Sequence, residues 1–254
     1  MNVQDYFSVT HLAKTGYVGL LRRIAWVARA AGISRWLEHN HDRGRIYHWA
    51  SSLLSIHDID GLIALDVPWW TYDAIEEVES FLSSHRASVF EYGSGASTVW
   101  LAKRAAKVIS VEHDADWYAL VSERVAPQDA LCPVDLRLVR ATMAAEDQAS
   151  EQIYTSQKPQ ARGLAFEAYA KEIERADGPF DLIVIDGRAR GACLQHAIPH
   201  LAEDGLIVFD NSHRPRYRVA IDQSGLEARR LAGLTPSLPY PDETTLLTAR
   251  TWDA

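Results

Sequence analysis

Two acidic residues near the ends of apolar runs mark the part of the chain best suited to bind a ligand. The run 88–92 contains Glu91 and leads into the small-residue turn Gly93-Ser94-Gly95, and Glu112 ends the next run 21 positions after Glu91. Glycines let the backbone turn sharply and approach a ligand without interference from a Cβ atom. A carboxylate at the end of the second run can accept both hydroxyls of a ribose that lies across the first turn. The combination predicts a nucleotide site, and the plainer alternative is a tight strand-to-helix turn.

A second acidic group follows two later apolar runs. Asp186 ends the run 180–186, and Asp210 with Asn211 ends the run 206–210. Because the carboxyl ends of parallel strands meet at one crevice, these three side chains are expected to cluster. Three oxygen ligands with open positions suit a hard cation such as Mg²⁺. The alternative is that Asp186 only lines the pocket while Asp210 and Asn211 cap a turn.

The elements that must position these residues follow from the alternation of apolar runs with amphipathic segments after residue 87. Strands are predicted at 88–92, 108–112, 135–139, 180–186 and 206–210, with helices near 72–83, 96–105, 115–125, 160–176 and 189–202. Such alternation indicates a parallel sheet that is covered on both faces. The last two runs, 229–234 and 244–251, are joined by prolines instead of a helix, which favours a hairpin at the sheet edge. The expected fold class is α/β: a doubly wound, mostly parallel seven-stranded sheet with an antiparallel edge hairpin and an N-terminal helical cap.

The first quarter of the chain differs in composition from the rest. Residues 1–45 hold seven Lys or Arg and three Asp or Glu, although the whole chain has a net charge of −8. A helix is predicted from about Tyr17 to Ala31, and the stretch 61–70 is expected to be a loop or short extended piece. We therefore interpret 1–64 as a helical cap or dimerisation segment and 65–254 as the catalytic domain.

The motif around Glu91 resembles the first motif of the class I S-adenosylmethionine-dependent methyltransferases, Glu/Asp-x-Gly-x-Gly-x-Gly, with Ser97 in place of the third glycine. The resemblance covers roughly residues 65–251 and implies that S-adenosylmethionine is the methyl donor. It implies that the cofactor is bound by Glu91, Gly93, Ser94, Gly95, Ser97, Glu112, His113 and Asp186. Arg140-Ala141-Thr142 is expected to lie near the adenine.

The set Asp186, Asp210 and Asn211 resembles the metal-binding residues of the catechol-type O-methyltransferases. That resemblance implies a Mg²⁺ ion that holds and acidifies a substrate hydroxyl. The lysine base expected a few residues after the first aspartate is missing, because Arg188, Ala189 and Arg190 occupy this region. Asp186 and His213 are the candidate catalytic residues, with His57 ranked below them.

Several other side chains near these strand ends have two interpretations. Arg188, Arg190, Arg214, Arg216 and Arg218 either bind a carboxylate or phosphate of an acidic acceptor or form a solvated basic rim. Trp69 and Trp70 either touch the cofactor or pack in the core, and Trp117 either packs its helix or stacks on adenine.

Composition and charge restrict the kinds of molecule that the protein is expected to bind. A pI near 5.7 argues against a general nucleic-acid binder. The sequence lacks an apolar run of the roughly 18 residues that a spanning helix needs, and its start does not resemble a signal peptide. Cys132 and Cys193 match no disulfide framework or metal spacing. The expectations are a cytoplasmic enzyme with a small-molecule acceptor, no nucleic-acid or membrane partner, and a possible homodimer.

The expected function is methyl transfer to a small or medium molecule at oxygen. Two alternatives stay open at this stage. One is an NAD-dependent oxidoreductase that uses the same glycine turn and Glu112, and the other is a non-catalytic module that binds S-adenosylmethionine.

Overall fold

A seven-stranded sheet lies at the centre of the protein, as the alternation of apolar runs predicts. The structure is a computed structural model and describes residues 44–53, 59–84, 86–126, 130–144, 153–156 and 158–250. The sheet strands are β1 (Ser88–Tyr92), β2 (Lys107–Glu112), β3 (Val134–Leu138), β6 (Phe180–Ile185), β7 (Leu201–Asp210), β8 (Glu227–Gly233) and β9 (Asp242–Thr248). Two short strands, β4 (Thr142–Met143) and β5 (Leu164–Ala165), form a separate antiparallel pair.

The strand order confirms the predicted fold class. It runs β3-β2-β1-β6-β7-β9-β8. The first five strands are parallel, and β9 is antiparallel to both β7 and β8. The usual doubly wound sheet that binds dinucleotides has six strands in the order 3-2-1-4-5-6. Insertion of the antiparallel strand β9 between β7 and β8 therefore separates this protein from that architecture.

Strands β1 and β6 are mostly apolar because helices cover both faces of the sheet. Successive side chains of a strand point to opposite faces. Val89 and Val184 thus enter one core with Trp70 and Trp100, whereas Phe90 and Ile183 enter the other. The centre of the sheet is thus packed between apolar side chains on both faces.

Helices flank the sheet close to the predicted positions. They are α1 (Arg45–Ser52), α2 (Ile59–Ala64), α3 (Tyr72–Ser84), α4 (Ala96–Ala102), α5 (Ala115–Arg124), α6 (Glu167–Ala170), α7 (Arg190–Ala197) and α8 (Pro215–Asp222). The expected helix over 160–176 is wrong. Gly163 has a φ of +75°, and the next two residues pair with β4, so only short helical turns remain on either side.

The N-terminal segment is described only from residue 44 onward, so the predicted helix over 17–31 lies outside the described residues. The expectation of a loop over 61–70 is wrong at its start, because Ile59–Ala64 is helical. Ile59 and Leu62 are buried in the same core as Trp70. In α1, the indole Nε1 of Trp49 donates to the carbonyl of Leu238 at 2.8 Å. The boundary at residues 64 and 65 stays a prediction.

None of the helices in the described ranges is both long enough and apolar enough to cross a membrane.

Two glycine turns pack against each other above the ends of β1 and β6. Gly93 has a φ of +97°, and a Cβ atom there would lie 2.8 Å from Cα of Gly187. A Cβ atom on Gly187 would in turn lie 1.9 Å from the hydroxyl of Tyr169. That hydroxyl is buried and has no hydrogen-bond partner among the described residues. Both glycines are therefore required by packing within the protein, before any ligand is considered.

We expect Gly187→Ala to lower the free energy of unfolding by about 1–3 kcal/mol, because the added methyl group collides with Tyr169. Tyr169→Phe alone should cost little, since the lost hydroxyl has no partner. The double variant should lose less free energy of unfolding than the sum of the two single losses, because the Tyr169 hydroxyl that collides with the new methyl group is gone. Urea unfolding measures this coupling, and additive losses would contradict the packing argument. Gly191→Ala is the matched control, since its Cβ would meet Ala220 at an ordinary 3.6 Å.

Candidate active site

A cleft of about 490 Å³ opens at the carboxyl ends of β1, β2, β6 and β7. Most residues predicted to bind the cofactor line it, namely Gly93, Ser94, Gly95, Ser97, Glu112, His113 and Asp186. Asp210 and Asn211 also line it, as expected from their strand ends. The crevice of the sheet thus brings together both acidic groups that the sequence singled out.

Glu91 differs from the other predicted cofactor residues because it lies beneath the turn, with no exposed surface and outside the cleft lining. Its carboxylate accepts hydrogen bonds from the hydroxyls of Ser97 (2.5 Å), Thr98 (2.6 Å) and Ser110 (2.6 Å). Burial raises the pKa of Glu91 to about 7 against the opposing effect of these donors. The placement does not support direct contact with a ligand: Glu91 ties the turn and the start of α4 to strand β2.

Glu112 stands at the rim of the cleft as an oriented carboxylate. One oxygen accepts from the backbone amides of His113 (2.6 Å) and Asp114 (2.9 Å), and the other accepts from the hydroxyl of Ser94 at 3.1 Å. Burial acts to raise the pKa of Glu112, but hydrogen bonds from His113 and the Asp114 amide outweigh it, so the pKa is lowered. Glu112 is therefore held as an anion with a fixed orientation.

Trp117 packs against the glycine turn, and its ring also faces the cleft. Its position is therefore compatible with both interpretations made from the sequence. Its indole Nε1 donates to the carbonyl of Ser94 at 2.7 Å and so fixes the turn, while the ring lines the cleft. Trp69 and Trp70 lie in different environments, although cofactor contact and core packing were considered for both. Trp69 lines the cleft, whereas Trp70 is fully buried against Trp100.

Gly95, unlike Gly93, has open space at the position where a Cβ atom would lie. Its φ of 172° is extended backbone that any residue adopts, and a Cβ atom there would meet nothing closer than 4.0 Å. Packing within the described protein therefore does not require a glycine at this position. The space beside Gly95 belongs to the cleft, so its small size leaves room for a ligand.

A guanidinium group lies between the two aspartates that the sequence assigns to a metal. Arg190 is buried and contacts Asp186 Oδ1 at 2.7 Å and Asp210 Oδ2 at 3.5 Å. It also donates to the backbone carbonyls of Asp186 (2.9 Å), Gly187 (3.2 Å) and Asp210. Burial and the neighbouring Asp186 raise the pKa of Asp210 well above its usual value.

This arrangement does not fit a divalent cation. Arg190 already supplies the positive charge between the carboxylates, and Asn211 is engaged by its own neighbours. The amide nitrogen of Asn211 donates to Asp242 at 3.0 Å, and its oxygen accepts from Arg214 at 3.4 Å. Within the described ranges, no cluster of three or more His, Cys, Asp or Glu side chains is arranged to hold a metal.

His213 does not reach the cleft, although the strand argument places it on the correct loop. Its side chain is half exposed, its Nδ1 lies 2.8 Å from Asp242 Oδ1, and neither residue lines the cleft. Arg140-Ala141-Thr142 does not line the cleft either. His57 lies outside the described residues.

Sequence reasoning missed several residues that line the cleft. Ile59 and Leu62 come from α2, Leu238 from the β8–β9 connection, and Lys158 from the polar segment after β4. The catechol-type pattern has a lysine a few residues after the first aspartate, and this chain lacks it. Lys158 brings a cation to the cleft instead, but from a different part of the chain. No periodicity marks the segment around Lys158, so long-range folding alone brings it to the site.

The sheet order and the cleft are those that the resemblance to class I S-adenosylmethionine-dependent methyltransferases implies. Residues 90–212 match a family model described as a methyltransferase domain, which spans both acidic groups of the cleft. The family resemblance stated from the sequence is thereby confirmed. No match was found among curated proteins.

Several solved structures are similar to this chain, and one of the three described here has a TM-score above 0.5. The O-methyltransferase from Bacillus cereus, solved with S-adenosylhomocysteine, is 17% identical, with 78% of this chain and 90% of that chain covered and a TM-score of 0.53. A methyltransferase-like protein from Silicibacter pomeroyi is 20% identical over 68% of this chain and 85% of that chain, with a TM-score of 0.43. TrmN from Thermus thermophilus is 14% identical over 73% of this chain and 48% of that chain, with a TM-score of 0.46.

The titration of Glu91 gives a prediction for stability. Its folded pKa of about 7 exceeds the ordinary value of 4.5, so the folded state binds the extra proton between these pH values. The contribution of Glu91 is therefore fully present below pH 4.5 and is lost as the pH rises through 7. Glu91→Gln removes this titration, so the stability of the variant relative to wild type should rise by about 3 kcal/mol between pH 4.5 and pH 7.5.

Urea unfolding of both proteins across this range measures the difference. Glu203→Gln, at a carboxylate that is 93% exposed, is the control and should run parallel to wild type. A constant difference between Glu91→Gln and wild type would show that Glu91 does not take up a proton in this range.

Proposed function

We propose that this methyltransferase transfers the methyl group to an oxygen atom of a small or medium acceptor. The observation that carries the proposal is the pairing of two carboxylates in one cleft, Glu112 and Asp186. Glu112 is held as an oriented anion, while Asp186 retains 20% side-chain exposure beside Arg190. The two ends of the cleft thus suit two different tasks.

The Glu112 end is proposed to hold the nucleoside of S-adenosylmethionine. Its carboxylate accepts the ribose hydroxyls, and the amides of His113 and Asp114 keep it in place. The indole of Trp117 and the ring of His113 form the walls available to the adenine. The open side of Gly95 lets the methionine part approach the turn, and Ser94 and Ser97 add hydroxyls along it.

The Asp186 end is proposed to receive the acceptor hydroxyl. The sulfonium of the methyl donor is already a good leaving group, so the site must mainly align the acceptor and remove its proton. Burial raises the pKa of Asp186 although Arg190 opposes it, which makes the carboxylate a stronger base than an ordinary aspartate. Arg190 fixes Asp186 Oδ1, so proton acceptance is assigned to the other oxygen.

We further propose that no divalent cation takes part. Arg190 stands where the resemblance to the catechol-type enzymes would place Mg²⁺, and a dication beside a buried guanidinium is opposed by charge repulsion. The cation that organises Asp186 and Asp210 is then part of the chain itself.

The N-terminal segment is proposed to complete the acceptor pocket. Helix α2 already contributes Ile59 and Leu62 to the cleft, and α1 holds the β8–β9 connection through Trp49 and Ser52. Its predicted role as a cap thus rests on contacts of residues 44–53 and 59–64, while a dimer contact stays a prediction.

Glu112→Gln should weaken binding of S-adenosylhomocysteine by about two orders of magnitude, because it removes a charged acceptor of two hydroxyl hydrogen bonds. Isothermal titration calorimetry measures the change. Glu172→Gln is the matched control, since Glu172 is a buried carboxylate paired with Arg137 and Arg175 outside the cleft lining. Equal affinities for wild type and Glu112→Gln would remove Glu112 from the ribose site, and no binding to wild type would overturn the proposed function.

Titration with Mn²⁺, followed by electron paramagnetic resonance, tests the metal proposal without an acceptor. We expect the wild-type chain to show no saturable binding of the ion at millimolar concentrations or below. Stoichiometric binding that disappears in Asp210→Asn would contradict the proposal and restore the metal assignment.

A further inference from the structure

A second cavity of about 330 Å³ adjoins the cofactor cleft. Lys158, Gly187, Arg188 and Arg190 line both spaces, so a molecule in the second cavity can reach the Asp186 end of the cleft. Helices α7 and α8, with the residues that immediately precede them, form much of its wall, and none of its described lining residues is acidic. The cavity is therefore a cationic extension of the proposed acceptor site.

The structure separates four of the five arginines that the sequence grouped together, and the fifth, Arg216, lines the cavity and donates to the hydroxyl of Tyr217 at 3.0 Å. Arg190 is neutralised by Asp186 and Asp210, and Arg218 pairs with Glu243 at 3.0 Å. Arg218 also lies outside the lining of the cavity. Neither of these two is free to hold a substrate charge.

Arg188 and Arg214 are different. No ion pair within the described ranges includes either of them, and Nε of Arg188 is buried without a hydrogen-bond partner there. Arg214 contacts the oxygen of Asn211 and lies over the ring of Tyr217 at 5.8 Å, both of them uncharged groups. A buried guanidinium donor without an acceptor costs free energy, which an incoming oxyanion would offset.

Lys158 shows that positive charge is in excess here. The residue is exposed, but partial desolvation of its ammonium group, followed by repulsion from Arg188 and Arg190, lowers its pKa to about 8. Helices α7 and α8 also begin at this cavity, and neither has a side chain that caps its N-terminus. Their first-turn amides add partial positive charge to that of the side chains.

We propose that the methyl acceptor carries an oxyanion group, a carboxylate or a phosphate, that binds between Arg188, Arg214 and Lys158. This inference rests on the proposed function, since it names the class of acceptor for the same site. Binding of the oxyanion in the second cavity places the remainder of the acceptor along Gly187, toward Asp186. The guanidinium groups then fix the orientation of the acceptor, while the fold holds the methyl donor at the other end.

The test is calorimetric titration of the full chain with inorganic phosphate and with succinate at constant ionic strength, with and without S-adenosylhomocysteine. Saturable binding of either anion is expected, and the tighter one identifies the group as a phosphate or a carboxylate. Arg188→Gln and Arg214→Gln should each weaken that binding about tenfold or more, because each removes a charge-assisted hydrogen bond. Arg218→Gln, with the same change in net charge on the same side of the molecule, should leave it unchanged. Thermal melting checks that each variant folds, and Arg214→Gln on its loop decides the result if Arg188→Gln does not fold.

Absence of saturable binding for both anions overturns the inference, as does an equal loss in Arg218→Gln. If S-adenosylhomocysteine still binds in that case, the proposed function stands and only the acceptor class is wrong. If S-adenosylhomocysteine fails to bind, the proposed function fails, and the anion titration without it still decides whether the site exists. Binding of a single-stranded oligonucleotide in place of both small anions would also overturn the inference and assign the cavity to a nucleic-acid backbone.

Discussion

The buried carboxylate of Glu91 is the constraint on which the cofactor end of the site depends. An acidic side chain with no exposed surface is costly unless its oxygens are hydrogen-bonded, and here three hydroxyls from two different segments bond to it. Those bonds join β1 to β2 and to the first turn of α4, which sets where the glycine turn lies. Ser94 and Trp117 then connect that turn to Glu112 and α5. The position of Glu112, which lines the cleft, thus depends on the hydrogen bonds of Glu91 beneath the turn.

Arg190 is the residue on which the geometry of the acceptor end depends, as Glu91 is for the cofactor end. It is the first residue of α7, yet its guanidinium reaches the ends of both β6 and β7 through two carboxylates and three backbone carbonyls. Carboxylates on adjacent strand ends repel each other unless a cation separates them. A metal ion and an arginine both supply the positive charge between the carboxylates, but they differ in the chemistry that they allow at the site. The arginine has no open coordination position for an acceptor oxygen, so alignment of the acceptor passes to other cations around the cavity.

Sequence patterns predicted the sheet well because its central strands β1, β2 and β6 are buried on both faces and therefore read as mostly apolar runs. They also placed Glu112, Asp186 and Asp210 at one crevice, since strand ends determine where these side chains emerge. The patterns could not distinguish a carboxylate that faces a ligand from one that faces its own turn, as Glu91 and Glu112 show. Nor could they show that Arg190 folds back between two aspartates, or that Lys158 arrives from a segment without periodicity. Helix 160–176 failed for a local reason, the left-handed conformation of Gly163.

The net charge of −8 and the cationic cavity are compatible because charge acts locally near a partly buried site. Interactions between exposed charges are screened over about 8–10 Å at physiological salt, whereas partly buried charges are screened much less. Arg188 and Arg214 line a small cavity, so the proposed attraction of a single oxyanion depends on these nearby charges and not on the net charge of the whole chain. The proposed recognition of an acidic acceptor is therefore compatible with an overall negative chain.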